Sequence, residues 1–163
     1  MNYNLKFLHG KAVFVDANAF IYHLYGMSEM TKEVFKLNEL GQIKLITTTR
    51  VIDEVFHKIL LIRAKEKFNI EKKAIKKLRK DKEKVKKLAE DIKLIITFLN
   101  GLNLKIKEIT KNDLLKLPNI MQKYGIFGND ALILIIMKKY NLKYLLSSDQ
   151  NFKNIQSIEL IKV

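Results

Sequence analysis

The apolar positions along the chain follow two rhythms. Short apolar runs, partly β-branched, occur at Val13-Phe14-Val15, Ile43-Lys44-Leu45-Ile46 and Tyr144-Leu145-Leu146. Runs this short, closed by polar or turn residues, predict buried strands. Between them the apolar residues recur every three or four positions, as on one helix face. A first helix follows Asp16, and residues 28–40 predict a second, with Ser28 as its cap and Gly41 as its stop. Thr47-Thr48-Thr49 can cap a third, whose first turns carry Asp53 and Glu54. The pattern then stays helical over 50–100, too long for one globular helix, and predicts two or three segments. Within it Leu78, Val85, Ile92 and Leu99 fall seven apart, with Ile75, Ala89 and Ile96 beside them, and read as one packed stripe.

The second half repeats the alternation. Residues 104–109 alternate with lysines, as in a strand covered on one face. Thr110 with Asp113 opens a short helix towards Tyr124, which Pro118 breaks. Gly128-Asn129-Asp130 opens a strongly apolar helix, and residues 158–163 read as a last, edge strand. Residues 1–11 carry no readable pattern. Strands alternating with helices predict an α/β fold: a mainly parallel sheet of four or five strands with helices on both faces.

Composition narrows the partners. A chain of 163 residues suits a single domain spanning 1–163, with a basic helical segment at 63–100 inside it. No apolar run is long enough to cross a bilayer and the first residues carry no secretory h-region, so the expectation is a cytoplasmic protein with no membrane partner. Cysteine is absent, which removes disulfides, thiolate metal sites and thiol nucleophiles. Lys and Arg number 31 against 17 Asp and Glu, a formal charge of +14, which favours a polyanion such as nucleic acid. Much of this charge falls in 63–93, where Lys72, Lys76, Arg79 and Lys80 are candidate contacts for a phosphate backbone, as is Arg50.

Four acids recur at similar local positions: Asp16 and Asp149 just past strands, Glu54 and Asp130 in the opening turns of helices. Asp130, Asp149 and Glu54 alone have ordinary explanations as a helix-start charge, a turn residue and a solvated helix acid, whereas Asp16, directly after a buried strand, is costly without a partner. If the strands are adjacent and parallel, however, all four converge on one edge. Crowded carboxylates repel, and a cation among them relieves the repulsion. An all-oxygen set suits Mg²⁺ or Mn²⁺, which can activate water and neutralise a phosphodiester during displacement.

The series Val15-Asp16-Ala17-Asn18, then Thr49 to Glu54, then Asn129-Asp130-Ala131-Leu132-Ile133, then Leu146-Ser147-Ser148-Asp149 with Phe152, resembles the PIN domain family, in particular its VapC-type toxin branch. The resemblance covers nearly the whole chain. It implies a three-layer α/β/α sandwich and a metal-dependent endoribonuclease acting on RNA. By that carry-over Asp16, Asp130 and Asp149 hold the Mg²⁺ or Mn²⁺, Glu54 completes the catalytic set, and Asn18 and Ser147 support the acids. The toxin branch adds an antitoxin protein as a candidate partner, and a homodimer is a further candidate assembly. About eleven residues precede the first strand and the basic stretch is longer than in compact toxins, so an RNA-processing PIN nuclease, for rRNA or tRNA maturation, stays open. An inert RNA-binding module is the non-enzymatic alternative. Phosphatases of the haloacid dehalogenase type want a second acid where this chain has Asn18, and receiver domains want a late Lys where it has Asp149. The three histidines share no ligand spacing. Tyr22, Phe56, Phe68, Phe98 and Phe127 lie in apolar runs and are assigned to the core rather than to base stacking.

Overall fold

The computed structural model describes residues 4–163. Strands β1 (Ala12–Val15), β2 (Lys44–Thr48), β3 (Leu104–Lys107), β4 (Tyr144–Ser147) and β5 (Glu159–Lys162) form one parallel sheet in the order β3-β2-β1-β4-β5. The chain steps outward from β1 to β3, then returns past β1 to β4 and ends at β5. Crossovers between parallel strands are right-handed, so the helices of the outward steps and those of the return lie on opposite faces. The first layer is α1 (Ala17–Leu24), α2 (Glu29–Glu39), α3 (Thr49–Phe68), α4 (Ala74–Leu78) and α5 (Lys82–Gly101). The second is α6 (Lys111–Leu114), α7 (Leu117–Tyr124) and α8 (Gly128–Lys139). Strand order reverses between β1 and β4, and in open α/β sheets ligands bind at the carboxyl ends of the strands flanking such a switch point.

The core follows from this layering. Val13, Phe14 and Val15 are fully buried because both faces of β1 are covered, and α8 buries every residue from Ala131 to Met137. Helix starts and stops fall where the cap chemistry puts them. Ser28 accepts from the Thr31 amide and Thr48 from the Val51 amide. Gly41, at φ +70°, turns the chain out of α2 in a backbone region that a side chain would strain. Thr110 and Asp113 form a reciprocal capping box on α6, and Pro118 sits in the first turn of α7, so the break falls between those two helices. No single helix among the described residues is long and apolar enough to cross a membrane.

Three expectations need correction. The lead is not patternless: Lys6–Leu8 forms a 3-10 turn that drives Leu5 and Leu8 into the core, while residues 1–3 lie outside the described residues. The helical stretch does break into three helices, but Val85, Ala89 and Ile96 are exposed, and α5 packs through Leu88, Asp91, Ile92, Ile95 and Leu99 instead. Residues 79–81 interrupt the helix, so a seven-residue spacing counted across that break does not describe one face. The strand predicted at 104–109 ends at Lys107, and Ile106 is 44% exposed because β3 is a sheet edge.

A satellite cluster of Ala64, Ile70, Ala74, Leu78 and Leu88 packs α3, α4 and α5 together beyond the main core. Beside it, the Lys67 ammonium donates to both Asp91 oxygens at 2.8 and 2.6 Å, joining α3 to α5. In the other layer, Asp113 is fully buried and accepts from Lys139 Nζ at 3.0 and 2.9 Å and from the Thr110 amide and hydroxyl. Burial alone would raise its carboxyl, but Lys139 and Thr110 outweigh that and hold it down to about 2.

The folded carboxyl thus titrates below its unfolded value, and its stabilisation is present above about pH 4 and lost as the pH falls towards 2. Asp113→Ala should cost about 1–3 kcal/mol near neutrality, from a lost buried network. Urea unfolding across pH 2–7 checks this: the acid limb of the stability profile should be flatter in the variant than in the wild type.

Candidate active site

Asp16 is the last residue before α1 and the first after β1, so its carboxylate sits at the centre of the sheet's carboxyl edge, beside the switch point. It is 7% exposed. The Ala17 amide donates to Oδ1 at 2.6 Å and the Ser147 hydroxyl to Oδ2 at 2.7 Å. Burial pushes the carboxyl up; the Ser147 and Ala17 hydrogen bonds oppose this, and Glu54 adds to it. Ser147, the last residue of β4, also accepts from the Asp149 amide at 3.0 Å. One hydroxyl therefore couples the ends of the two strands that flank the switch point.

The other acids come in from the sides. Asp149 caps the 3-10 turn Gln150–Phe152 through the Asn151 amide. Asp130 lies in the first turn of α8 and accepts from Asn151 Nδ2 at 3.3 Å. Its carboxyl is pushed up to about 6, mainly by burial and further by the charges of Asp149 and Asp16, with Asn151 pulling the other way. Glu54, in the second turn of α3, pairs with Lys58 at 2.8 Å and accepts from Asn129 Nδ2 at 2.6 Å. The Lys58 ammonium also donates to Asn18 Oδ1 at 2.7 Å, and Asn18 donates to the Ser148 hydroxyl at 3.0 Å.

Asp16, Glu54, Asp130 and Asp149 thus lie at the same edge, as the parallel arrangement required. Among the described residues, however, no three acid or histidine side chains are gathered into a ready enclosure for an ion. Much of this splay has a visible cause. Glu54 is engaged by Lys58 and Asn129, Asp149 by its cap, and Asp16 by Ala17 and Ser147. The donor chemistry nonetheless suits a hard divalent ion: the set is all oxygen, and the Asp149 and Asp16 charges add to burial in raising the Asp130 carboxyl, a repulsion that a cation among them would relieve.

Lys58, Asn129 and Asn151 join the site without having been singled out in the sequence. Lys58 could have been found, since it stands four residues after Glu54 on the same helix face. Asn129, whose Oδ1 is buried without a partner among the described residues, stood beside Asp130 in the sequence series but without a role, and Asn151 had no spacing that pointed to Asp130. Of the basic candidates, Arg50 is exposed and paired with Asp53 at 2.7 Å. Lys72, Lys76, Arg79 and Lys80 are exposed around α4, past the far end of α3; Glu54 to Phe68 alone spans about 21 Å of helix axis. His57 is exposed, and His23 stacks on Phe35 with centroids 4.0 Å apart, away from the acids' hydrogen bonds. Tyr22, Phe56, Phe68 and Phe98 pack against the core as expected, but Phe127 is 73% exposed. Ile126 takes the inward place, and the extended backbone at Phe127 turns the next side chain outward.

The model of the PIN domain family matches residues 13–158. The chain belongs to the PIN domain family. A relative from Methanocaldococcus jannaschii, Ribonuclease VapC2, is 29% identical over 153 residues, covering 93% of each chain. Among solved structures, the fold resembles VapBC2 from Rickettsia felis, bound to a promoter DNA fragment, with TM-score 0.58, 15% identity, and 93% of this chain and 98% of that one covered. DNA-bound VapBC from Salmonella typhimurium gives TM-score 0.58 at 13% identity, covering 93% and 97%. For this PIN domain, the likeness to the solved structures speaks for the architecture, and the site rests on the chain's own geometry.

Ser147→Ala removes a donor from a buried carboxylate and leaves the Asp149 amide without its acceptor. It should destabilise the domain by about 1.5–3 kcal/mol, the range for hydrogen bonds to charged groups. Urea denaturation at neutral pH measures it, and a cost within error of zero would mean that water replaces the hydroxyl.

Proposed function

We propose that this PIN domain is a divalent-metal-dependent endoribonuclease working as a single 1–163 unit. The observation that carries the reading is the convergence of Asp16, Glu54, Asp130 and Asp149 at the switch point of a parallel sheet in a chain of charge +14. The ribonuclease name of the Methanocaldococcus relative supports it. Asp16, Asp130 and Asp149 would hold Mg²⁺ or Mn²⁺, and Glu54 would complete the set. Such an ion supplies an activated water and offsets the charge of the phosphodiester. The chain's own residues prepare that site. Ser147 fixes the direction of the Asp16 carboxylate, Asn151 steadies Asp130, and Lys58, itself held by Asn18, orients Glu54 together with Asn129.

Lys72, Lys76, Arg79 and Lys80 are proposed to hold RNA backbone away from the acids, since none of them forms an ion pair among the described residues. Arg50 would add a contact nearer the site by exchanging Asp53 for phosphate. The same reading places the protein in the cytoplasm and makes an antitoxin protein a candidate partner. The long basic segment favours a second reading, an RNA-processing nuclease whose target is a structured RNA.

Cleavage of end-labelled single-stranded RNA with Mg²⁺, Mn²⁺ or EDTA tests the proposal. Wild type should cut only with metal, and Asp16→Asn and Asp130→Asn should fall to background. Metal-independent cutting, or cutting retained in both variants, would count against it. Changing Lys72, Lys76, Arg79 and Lys80 together to Gln should weaken RNA binding and flatten its salt dependence by up to about 0.7 log units per lost phosphate contact. An unchanged slope in a fluorescence titration would remove this segment from the RNA path.

A further inference from the structure

Phe127 is the most exposed of the large apolar side chains among the described residues, at 73%. It also occupies the position before α8 where Ser, Thr, Asp or Asn would normally supply a cap, and it makes no cap bond. A residue that gives up a helix cap and leaves an aromatic ring in water breaks two local preferences at once. Such breaches concentrate where a chain serves a function. The other exposed rings have partners: Phe7 lies against Tyr144 with centroids 5.7 Å apart, and the Tyr140 ring is covered by Lys107 Nζ at 3.9 Å. Among the described residues Phe127 has no aromatic or cationic neighbour of this kind.

Its backbone is nevertheless held by the site. Ile126 is buried just before it, Asn129 donates to Glu54 two residues later, and Asp130 follows. The ring is thus carried on a segment held on one side by the core through Ile126 and on the other by the acid cluster through Asn129. An exposed aromatic face three residues before Asp130, beside the proposed phosphodiester-cutting site, suits one ligand chemistry, the π-face of an unpaired nucleobase.

We propose that Phe127 forms a nucleobase-stacking subsite, against which the base beside the scissile phosphate packs. The inference rests on the ribonuclease reading and adds a substrate preference to it: single-stranded or splayed RNA, with little discrimination among bases, because stacking is tolerant of sequence.

The test uses the full chain and single-stranded oligoribonucleotides carrying 2-aminopurine at successive positions, first in EDTA so that only binding is read. Wild type should quench the fluorophore at one position. Phe127→Leu should remove that quench and weaken binding about 5- to 150-fold, the range expected for loss of one base–aromatic stack, and Phe127→Trp should restore both. With metal added, Phe127→Leu should raise KM far more than it lowers kcat. The side chain is exposed, so thermal unfolding should be unchanged and any loss of binding is not a loss of fold. If Phe127→Leu binds and quenches like wild type, the subsite does not exist, whether or not the protein cuts RNA. If wild type cuts no RNA with any metal, the ribonuclease reading fails, and the EDTA arm still reports separately on stacking.

Discussion

A carboxylate taken out of water must have its hydration replaced, or it costs several kcal/mol and protonates. Asp16 imposes that condition at the middle of the sheet. The Ala17 amide and the Ser147 hydroxyl meet it, one from the start of the following helix and one from the neighbouring strand. The Ala17 donor is local to the turn, but the Ser147 donor is in place only when β1 and β4 are adjacent, parallel and in register. The acid is therefore as much a check on the topology as a member of the site. A β4 slipped by one residue so that Leu146 took this place would leave the carboxylate short of a donor.

The remaining acids obey a looser rule. Each is held by a polar neighbour from its own or a nearby element, so the cluster is oriented without being closed. Asp130 is displaced upward to about 6, mainly because it is withdrawn from water and further because Asp149 and Asp16 lie near it. The amides of Asn18, Asn129 and Asn151 spread through the site act as adjustable connectors, able to donate to one carboxylate or accept from an ammonium as the balance of charge changes.

Legibility in the sequence tracked the reach of the interactions involved. Local chemistry was readable: Ser28, Thr48, the Thr110 and Asp113 pair and Pro118 each mark a boundary through contacts within three or four residues. The acids were readable as a set because the alternation of strands and helices brings strand ends to one edge. What could not be read depended on partners far away in the chain. The packing face of α5 was displaced by the interruption at 79–81, and the outward turn of Phe127 followed from Ile126 taking the inward place. The roles of Asn129 and Asn151 likewise rest on carboxylates 75 and 21 residues away, for which a single sequence carries no spacing signal.

Both margins of the sheet are four-residue strands with charged side chains facing out. β3 offers Lys105 and Lys107, and β5 offers Glu159 and Lys162. An unpaired margin is a template on which another copy could continue the ladder, and short, charged strands blunt that template. Two β3 margins meeting in antiparallel would bring lysines against lysines in the place where backbone pairing has to begin. Edge-to-edge stacking of sheets is thereby disfavoured at both margins.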